Sequence, residues 1–200
     1  MNNICIEIKN ILEETGYKFI EIKDGKIHFR KNLTIDLGGI AKGYAVDKAI
    51  DILKKFGITS AIVNAGGDLR AIGLKPNGEM FCIGVRHPRK ENKIICSFYI
   101  KDKAVATSGD YERFIKINGI IYPHIIDPKT GYPSLKCQSV TIISNDTLTS
   151  DALSTAVFVM GKEKGLKFLN ENEEIEGIII DKAGNMFISN RLKNKVKIYE

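Results

Sequence analysis

Four places in the chain combine residue types and spacings that could do chemistry. In Asp36-Leu-Gly-Gly-Ile-Ala-Lys-Gly43, paired glycines precede a helical pattern and Lys42 stands just inside it. Glycines let a ligand approach the backbone closely, the first N–H groups of a helix lack partners, and the macrodipole adds about half a positive charge, so a phosphate fits such an end. The same letters also describe a plain tight turn with a solvent-facing lysine. They match neither GxGxxG nor GxxxxGK[ST], so neither the dinucleotide fingerprint nor a P-loop applies. Asn64-Ala-Gly-Gly-Asp68 ends a strand on a rim without side chains, open to a ring or a phosphate, or else is a bulge between two strands.

The third place joins Thr107-Ser-Gly-Asp-Tyr-Glu-Arg113 to His124-Ile-Ile-Asp-Pro-Lys-Thr-Gly131 across the hairpin signal Asn118-Gly119. A hairpin brings its ends together, so Arg113 and His124 are expected close in space. His124 can act as acid or base near neutral pH, whereas His28 and His87 read as bystanders. The fourth is Thr149-Ser-Asp-Ala-Leu-Ser-Thr155, where the i, i+4 spacing puts Asp151 and Thr155 on one helix face. That helix is apolar on most sides, so Asp151 is expected buried and in need of a cation. A carboxylate and a hydroxyl are hard oxygen ligands suited to Mg²⁺. In the alternative reading, Asp151 is a helix-start residue facing the dipole and Thr155 bonds back to its own helix.

The elements that must position these groups follow from periodicity. Helical spacing predicts Asn3–Glu14 through Ile4, Ile8, Ile11 and Leu12, then strands Tyr17–Ile22 and Lys26–Arg30 about Asp24-Gly25. A strand through Asp36 is expected to lead by the Gly-Gly turn into a helix ending near Phe56, with Ala41, Ala45, Ala49, Leu53 and Phe56 on its apolar face. Strands are predicted at Ser60–Asn64 and on to Ile72, then at Phe81–Val85, Ile94–Ile100, Ala104–Thr107, Arg113–Ile117, Ile120–His124 and Gln138–Ser144. Helices over about Leu148–Met160 and Lys162–Asn170 and strands near Ile175–Asp181 and Met186–Ser189 complete the chain. The fold class expected is α+β, one domain over residues 1–200, with a large, mainly antiparallel sheet and flanking helices.

The 200 residues suffice for one sizeable core, and 44% apolar with 27% charged residues is an ordinary globular composition. A net charge of +6 favours an anionic partner. The lysines are scattered without a stripe, which argues against nucleic acid. Cys5, Cys82, Cys96 and Cys137 form no CxxC pair, so buried free thiols are expected rather than zinc or disulfides. No run is long and apolar enough to span a membrane, and the start lacks a secretory signal, so the chain as written reads as cytoplasmic.

In this order, Asp36-Leu-Gly-Gly-Ile-Ala-Lys-Gly-Tyr-Ala-Val-Asp47, Asn64-Ala-Gly-Gly-Asp68, His124-Ile-Ile-Asp-Pro-Lys-Thr-Gly131 and Ser150-Asp-Ala-Leu-Ser-Thr-Ala156 resemble the signature blocks of the ApbE family of FAD:protein FMN transferases. Thr107–Arg113 is similar to a fifth block, and the resemblance runs from about Tyr17 to the C-terminus. It implies an ApbE-like, T-fold-like architecture and an activity that splits FAD, joining FMN by a phosphoester to a Thr or Ser of an acceptor flavoprotein and releasing AMP. Two alternatives are a FAD pyrophosphatase, yielding FMN and AMP, and a non-catalytic flavin-binding module. Position by position, the resemblance implies Mg²⁺ held by the side chains of Asp151 and Thr155 and the main-chain carbonyl of Gly39. It implies a FAD site that draws on Asp36, Gly38, Gly39 and Lys42, then on Asn64, Gly66, Gly67 and Asp68. Ser108, Arg113, His124 and Ile125 complete that site. The resemblance further implies His124 as the catalytic group beside the pyrophosphate, with either it or Asp151 taking the nucleophile's proton. Family members usually carry a further N-terminal region, often behind a lipoprotein signal for the cell envelope, that helps enclose flavin and adenosine. Relative to them this chain reads as truncated, with a separate N-terminal half or a second copy as a further partner.

Overall fold

Alternation within the central strands decides the layering. The computed structural model describes residues 2–199, with side chains from Ile6 onward. Its main sheet is antiparallel throughout and six-stranded, in the order β12 (Met186–Ile188), β11 (Glu176–Asp181), β10 (Cys137–Ser144), β7 (Ala104–Gly109), β4 (Asp68–Ile72) and β3 (Ala61–Ala65). Every residue of β10 is buried, so both faces of the sheet are covered. Ile143 and Ile178 point to one side and join Ile83, Val85, Phe98 and Ile100 of a second sheet. Their chain neighbours Ile142 and Ile179 point to the other side and pack on Val157, Phe158 and Leu169 of the helical layer. That period of two is what a strand must have when it serves two cores at once.

The helical layer comprises α2 (Ala41–Lys55), α3 (Thr147–Met160) and α4 (Lys162–Glu171). The opposite layer is the sheet β13 (Lys197–Ile198), β6 (Ile94–Ile100) and β5 (Phe81–Arg86). Two hairpins stand apart from these layers: β1 (Ile20–Lys23) with β2 (Lys26–Phe29), and β8 (Phe114–Ile117) with β9 (Ile120–Pro123). Asp24-Gly25 and Asn118-Gly119 turn them with positive φ at both positions, the twist that suits a two-residue hairpin loop. The first helix, α1 (Asn2–Glu14), lays Ile8 and Leu12 over the turn at Gly131.

The α+β class and the large antiparallel sheet stand as expected, and three local expectations need correction. No strand leads into α2: residues 32–37 have no regular structure. Asp36 accepts the N–H of Gly38 at 2.6 Å and so turns the chain locally. The buried face of α2 is Gly43, Val46 and Ile50, whereas Phe56 is 80% exposed. Cys96 and Cys137 are buried free thiols, but Cys82 is exposed on the outer face of β5; the side chain of Cys5 lies outside the described residues.

Candidate functional site

The site begins where α2 and α3 touch. An added Cβ on Gly43 would lie 2.5 Å from the carbonyl oxygen of Thr147 and 2.8 Å from the Cα of Leu148, so only glycine permits this approach of two backbones. At that contact the N–H of Gly43 donates to Oδ2 of the buried Asp151 at 2.9 Å. Asp151 thereby faces the first turn of α2, directly after Gly38-Gly39. Neither its Oδ1 nor the carbonyl of Gly39 accepts a hydrogen bond from the described residues. Burial raises the Asp151 pKa, the charge of Asp68 adds to this, and the Gly43 N–H and Lys42 offset it in part.

Lys42 forms an ion pair with Asp68, which is fully buried at the start of β4. Asp68 comes there through the turn Asn64-Ala-Gly-Gly-Asp68: Oδ1 of Asn64 accepts the N–H of Gly67 at 2.9 Å, and Ala65 pairs with Asp68. Gly66 and Gly67 have φ of 65° and 107°, which a side chain would strain. This turn is a tight hairpin end rather than a bulge. On the other flank, Oγ of Ser108 lies 2.8 Å from Ser154 Oγ and 2.9 Å from Thr155 Oγ1, so β7 presents a hydroxyl to the same face of α3. Thr155 therefore bonds across to the sheet, not back along its helix. Asp151 is not the helix-start residue either: Asp146 caps α3, accepting the N–H of Thr149 at 2.8 Å.

These donors fit Mg²⁺. A buried carboxylate with one open oxygen, two neighbouring hydroxyls and a free main-chain carbonyl one turn before Gly43 are all hard oxygen ligands, and Mg²⁺ commonly takes few protein ligands and keeps waters. No group of three or more His, Cys, Asp or Glu among the described residues could hold a metal, so a site built from those side chains alone is not formed.

Arg113, His124 and Ile125 make a second cluster, at the base of the β8–β9 hairpin. The N–H of His124 donates to the carbonyl of Arg113 at 3.0 Å, and Nδ1 of the ring lies 3.0 Å from the same oxygen. A carbonyl can only accept, so Nδ1 carries the hydrogen, and Nε2 of the solvent-exposed ring has no hydrogen-bond partner among the described residues. The side chain of Ile125 is buried with Val157 and Phe158, and its carbonyl accepts the N–H of Ser134 at 2.9 Å. It anchors the His124 segment to α3 and leaves little of itself for a ligand. No hydrogen bond or ion pair among the described residues joins His124 or Arg113 to Asp151. Of the remaining histidines, His28 is exposed on β2, and His87 accepts the N–H groups of Arg89 and Lys90 in the loop after β5.

Two residues of the site escape sequence reasoning. Asp47 reaches from α2 to the start of α3, and Arg70 of β4 donates to its Oδ1 at 2.7 Å. Asp47 closes the first sequence block at i+4 from Gly43, and that spacing was the available signal. Arg70 had none.

Among the described residues no helix is long and apolar enough to cross a membrane. A model of the ApbE family matches residues 6–179. The FAD:protein FMN transferase of Klebsiella pneumoniae (strain 342) is 36% identical over 159 residues, covering 78% of this chain and 48% of that protein. That of Treponema pallidum (strain Nichols) is 34% identical over 181 residues, 84% of this chain and 49% of that protein. The chain thus spans about half the length of the curated relatives it matches. Among solved structures, the ApbE protein of Thermotoga maritima MSB8 superposes with a TM-score of 0.87 at 44% identity, over 96% of this chain and 63% of that one. The apo flavinyl transferase ApbE of Pseudomonas stutzeri gives 0.82 at 31%, over 95% and 60%.

Proposed function

This chain belongs to the ApbE family, and from that premise we propose that it works as one domain that transfers FMN from FAD to a Thr or Ser hydroxyl of an acceptor flavoprotein, with Mg²⁺ and with release of AMP. Donor and product are those in the name of its relatives, FAD:protein FMN transferase. The observation that carries the reading is the Gly43 N–H bond to Asp151, which ties a buried carboxylate to the helix end that follows Gly38-Gly39.

In this reading Asp151, the Thr155 hydroxyl and the Gly39 carbonyl hold Mg²⁺, which when bound neutralises charge on the phosphate oxygens. The N–H groups of Ile40, Ala41, Gly43 and Tyr44 are already engaged within the protein, so the Lys42 N–H and the Lys42 ammonium orient the diphosphate, and the side-chain-free turn at Gly66-Gly67 lets it approach. The acceptor hydroxyl oxygen bonds to the phosphorus of the FMN half. The bond from that phosphorus to the bridging oxygen breaks, and the oxygen leaves with AMP. The hydroxyl proton passes to Nε2 of His124, whose lone pair is kept available by the Nδ1–H bond to Arg113. Asp151, engaged with the metal, is not the base.

The test is incubation of the chain with FAD, MgCl₂ and a Thr-bearing acceptor protein. Flavin fluorescence at the acceptor's position in a denaturing gel, with AMP released, is the expected result. FMN and AMP appearing equally fast without acceptor would instead identify water as the acceptor, and a folded chain that leaves no covalent flavin would refute the transferase reading.

A further inference from the structure

We infer that Asp47 is a positioning residue for the Asp151 carboxylate, acting through the start of α3; the inference rests on the metal role of Asp151 proposed above. Asp47 touches no candidate ligand itself. Its Oδ1 accepts the N–H and the hydroxyl of Thr147 at 2.9 and 3.0 Å, and its Oδ2 accepts the N–H of Leu148 at 2.9 Å. Arg70 on β4 donates to Oδ1 at 2.7 Å, so one carboxylate ties α2, α3 and the sheet together.

The exchange is reciprocal. Residue 43 of α2 donates to residue 151 of α3, and residue 47 of α2 accepts from residue 147 of α3, one helical turn along in each helix. Gly43 allows the backbones to meet, and the two clasps fix both their rotation and their sliding. If the Asp47 clasp is lost, α3 can slide or roll, and the Asp151 carboxylate moves relative to the open end of α2.

Helix capping by itself does not account for this arrangement. Asp146, the residue just before α3, accepts the N–H and the hydroxyl of Thr149 at 2.8 and 3.0 Å. The first N–H groups of α3 are thus divided: Thr149 is served locally, while Thr147 and Leu148 are served from another helix. A local cap supports the helix, whereas a cap supplied by α2 also fixes where the helix sits. Groups that orient a ligating side chain in this way commonly matter to metal affinity by about 10-fold to 100-fold.

The experiment is Mn²⁺ binding to the full chain in the presence of FAD, read by the loss of the free-ion EPR signal, for the parent, Asp47→Asn and Asp146→Asn, with thermal melts alongside. Asparagine keeps an acceptor at position 47 but loses the charge and one of the two oxygens. Asp47→Asn is expected to weaken Mn²⁺ binding by about 10-fold or more. Asp146→Asn, which makes the same chemical change in the local cap and keeps an acceptor for the Thr149 N–H, is expected to leave Mn²⁺ affinity within about twofold, a change worth only about 0.4 kcal/mol. Should Asp47→Asn unfold at the assay temperature, Gly43→Ala carries the test, since its methyl forces the α3 backbone away. It too is expected to lose Mn²⁺ affinity. Parent-like binding by Asp47→Asn or Gly43→Ala overturns the inference, as do equal losses in the Asp47 and Asp146 variants, which would make the effect one of helix stability alone. If the parent itself binds no Mn²⁺, the metal reading of the site is overturned and this inference with it.

Discussion

Asp151 is costly to the apo fold. Burial holds its pKa above the ordinary carboxylate value, helped by the charge of Asp68 and offset in part by the Gly43 N–H and Lys42. The folded form therefore favours the protonated acid, and stability present at low pH is lost as pH rises from the ordinary carboxylate range through the raised folded value. Above that raised value the metal-free chain carries the penalty in full. Asp151→Asn, which removes the charge while keeping an acceptor for Gly43, is expected to raise the melting temperature of the metal-free chain at pH 7, measured by calorimetry. A lower melting temperature would mean that the carboxylate already has a sufficient partner within the protein. His124 is the complementary case, an exposed ring whose Nδ1 is engaged and whose Nε2 is free. His124→Gln is expected to lower turnover by about 10²-fold to 10⁴-fold, the usual contribution of a general base, with FAD affinity unchanged in a fluorescence titration. A matching loss of affinity would reassign His124 to binding.

At the scale of elements, α3 carries the site and is also part of the core, since Phe158 and Val157 are wholly buried against β10 and α4. Phe158→Ala is expected to cost about 3 to 5 kcal/mol of unfolding free energy by urea titration. A loss below about 1 kcal/mol would mean that the layer repacks freely. Much of this architecture was legible in the sequence. The run Gln138–Ser144 and the helix to Met160 announce themselves by composition, and Asn118-Gly119 sets its hairpin by turn chemistry alone. The face that α2 buries was not legible. Ala41, Ala45, Ala49, Leu53 and Phe56 keep helical spacing, but so do Gly43, Val46 and Ile50, and the second set wins because Gly43 is where α3 must approach. A glycine contributes nothing to an apolar pattern, so a contact that depends on its missing side chain leaves no periodic trace. The same limit hides Asp47 and Arg70, whose partners are distant in sequence. The strand expected at Asp36 fails for the opposite reason: a local side-chain bond to Gly38 overrides β propensity.

Across the whole molecule, several carboxylates favour the fold in the sense opposite to Asp151. For Asp47, burial raises the pKa, but the N–H groups of Thr147 and Leu148, the Thr147 hydroxyl and Arg70 together bring it below the ordinary value. Asp127 is lowered by the Lys129 N–H and by Lys136, and Asp181, despite burial, by Asn185 and Ala183. Stability from these groups is complete above the ordinary carboxylate range and is lost as pH falls through their lowered folded values. The melting temperature is therefore expected to fall steeply on acidification below about pH 4, and less steeply in Asp47→Asn; a parallel fall in that variant would exclude Asp47 as a contributor. The proposed function rests on a larger arrangement, in which the start of α2, the turn at Gly66-Gly67 and the face of α3 would together hold the metal and the diphosphate. The most direct measurement is FAD binding by flavin fluorescence with and without Mg²⁺, for the parent and Asp151→Ala, with circular dichroism melts to verify folding. The parent should bind FAD more tightly when Mg²⁺ is present, and Asp151→Ala should lose that Mg²⁺-dependent gain while keeping a cooperative melt. A folded Asp151→Ala variant that binds FAD and responds to Mg²⁺ as the parent does would contradict it.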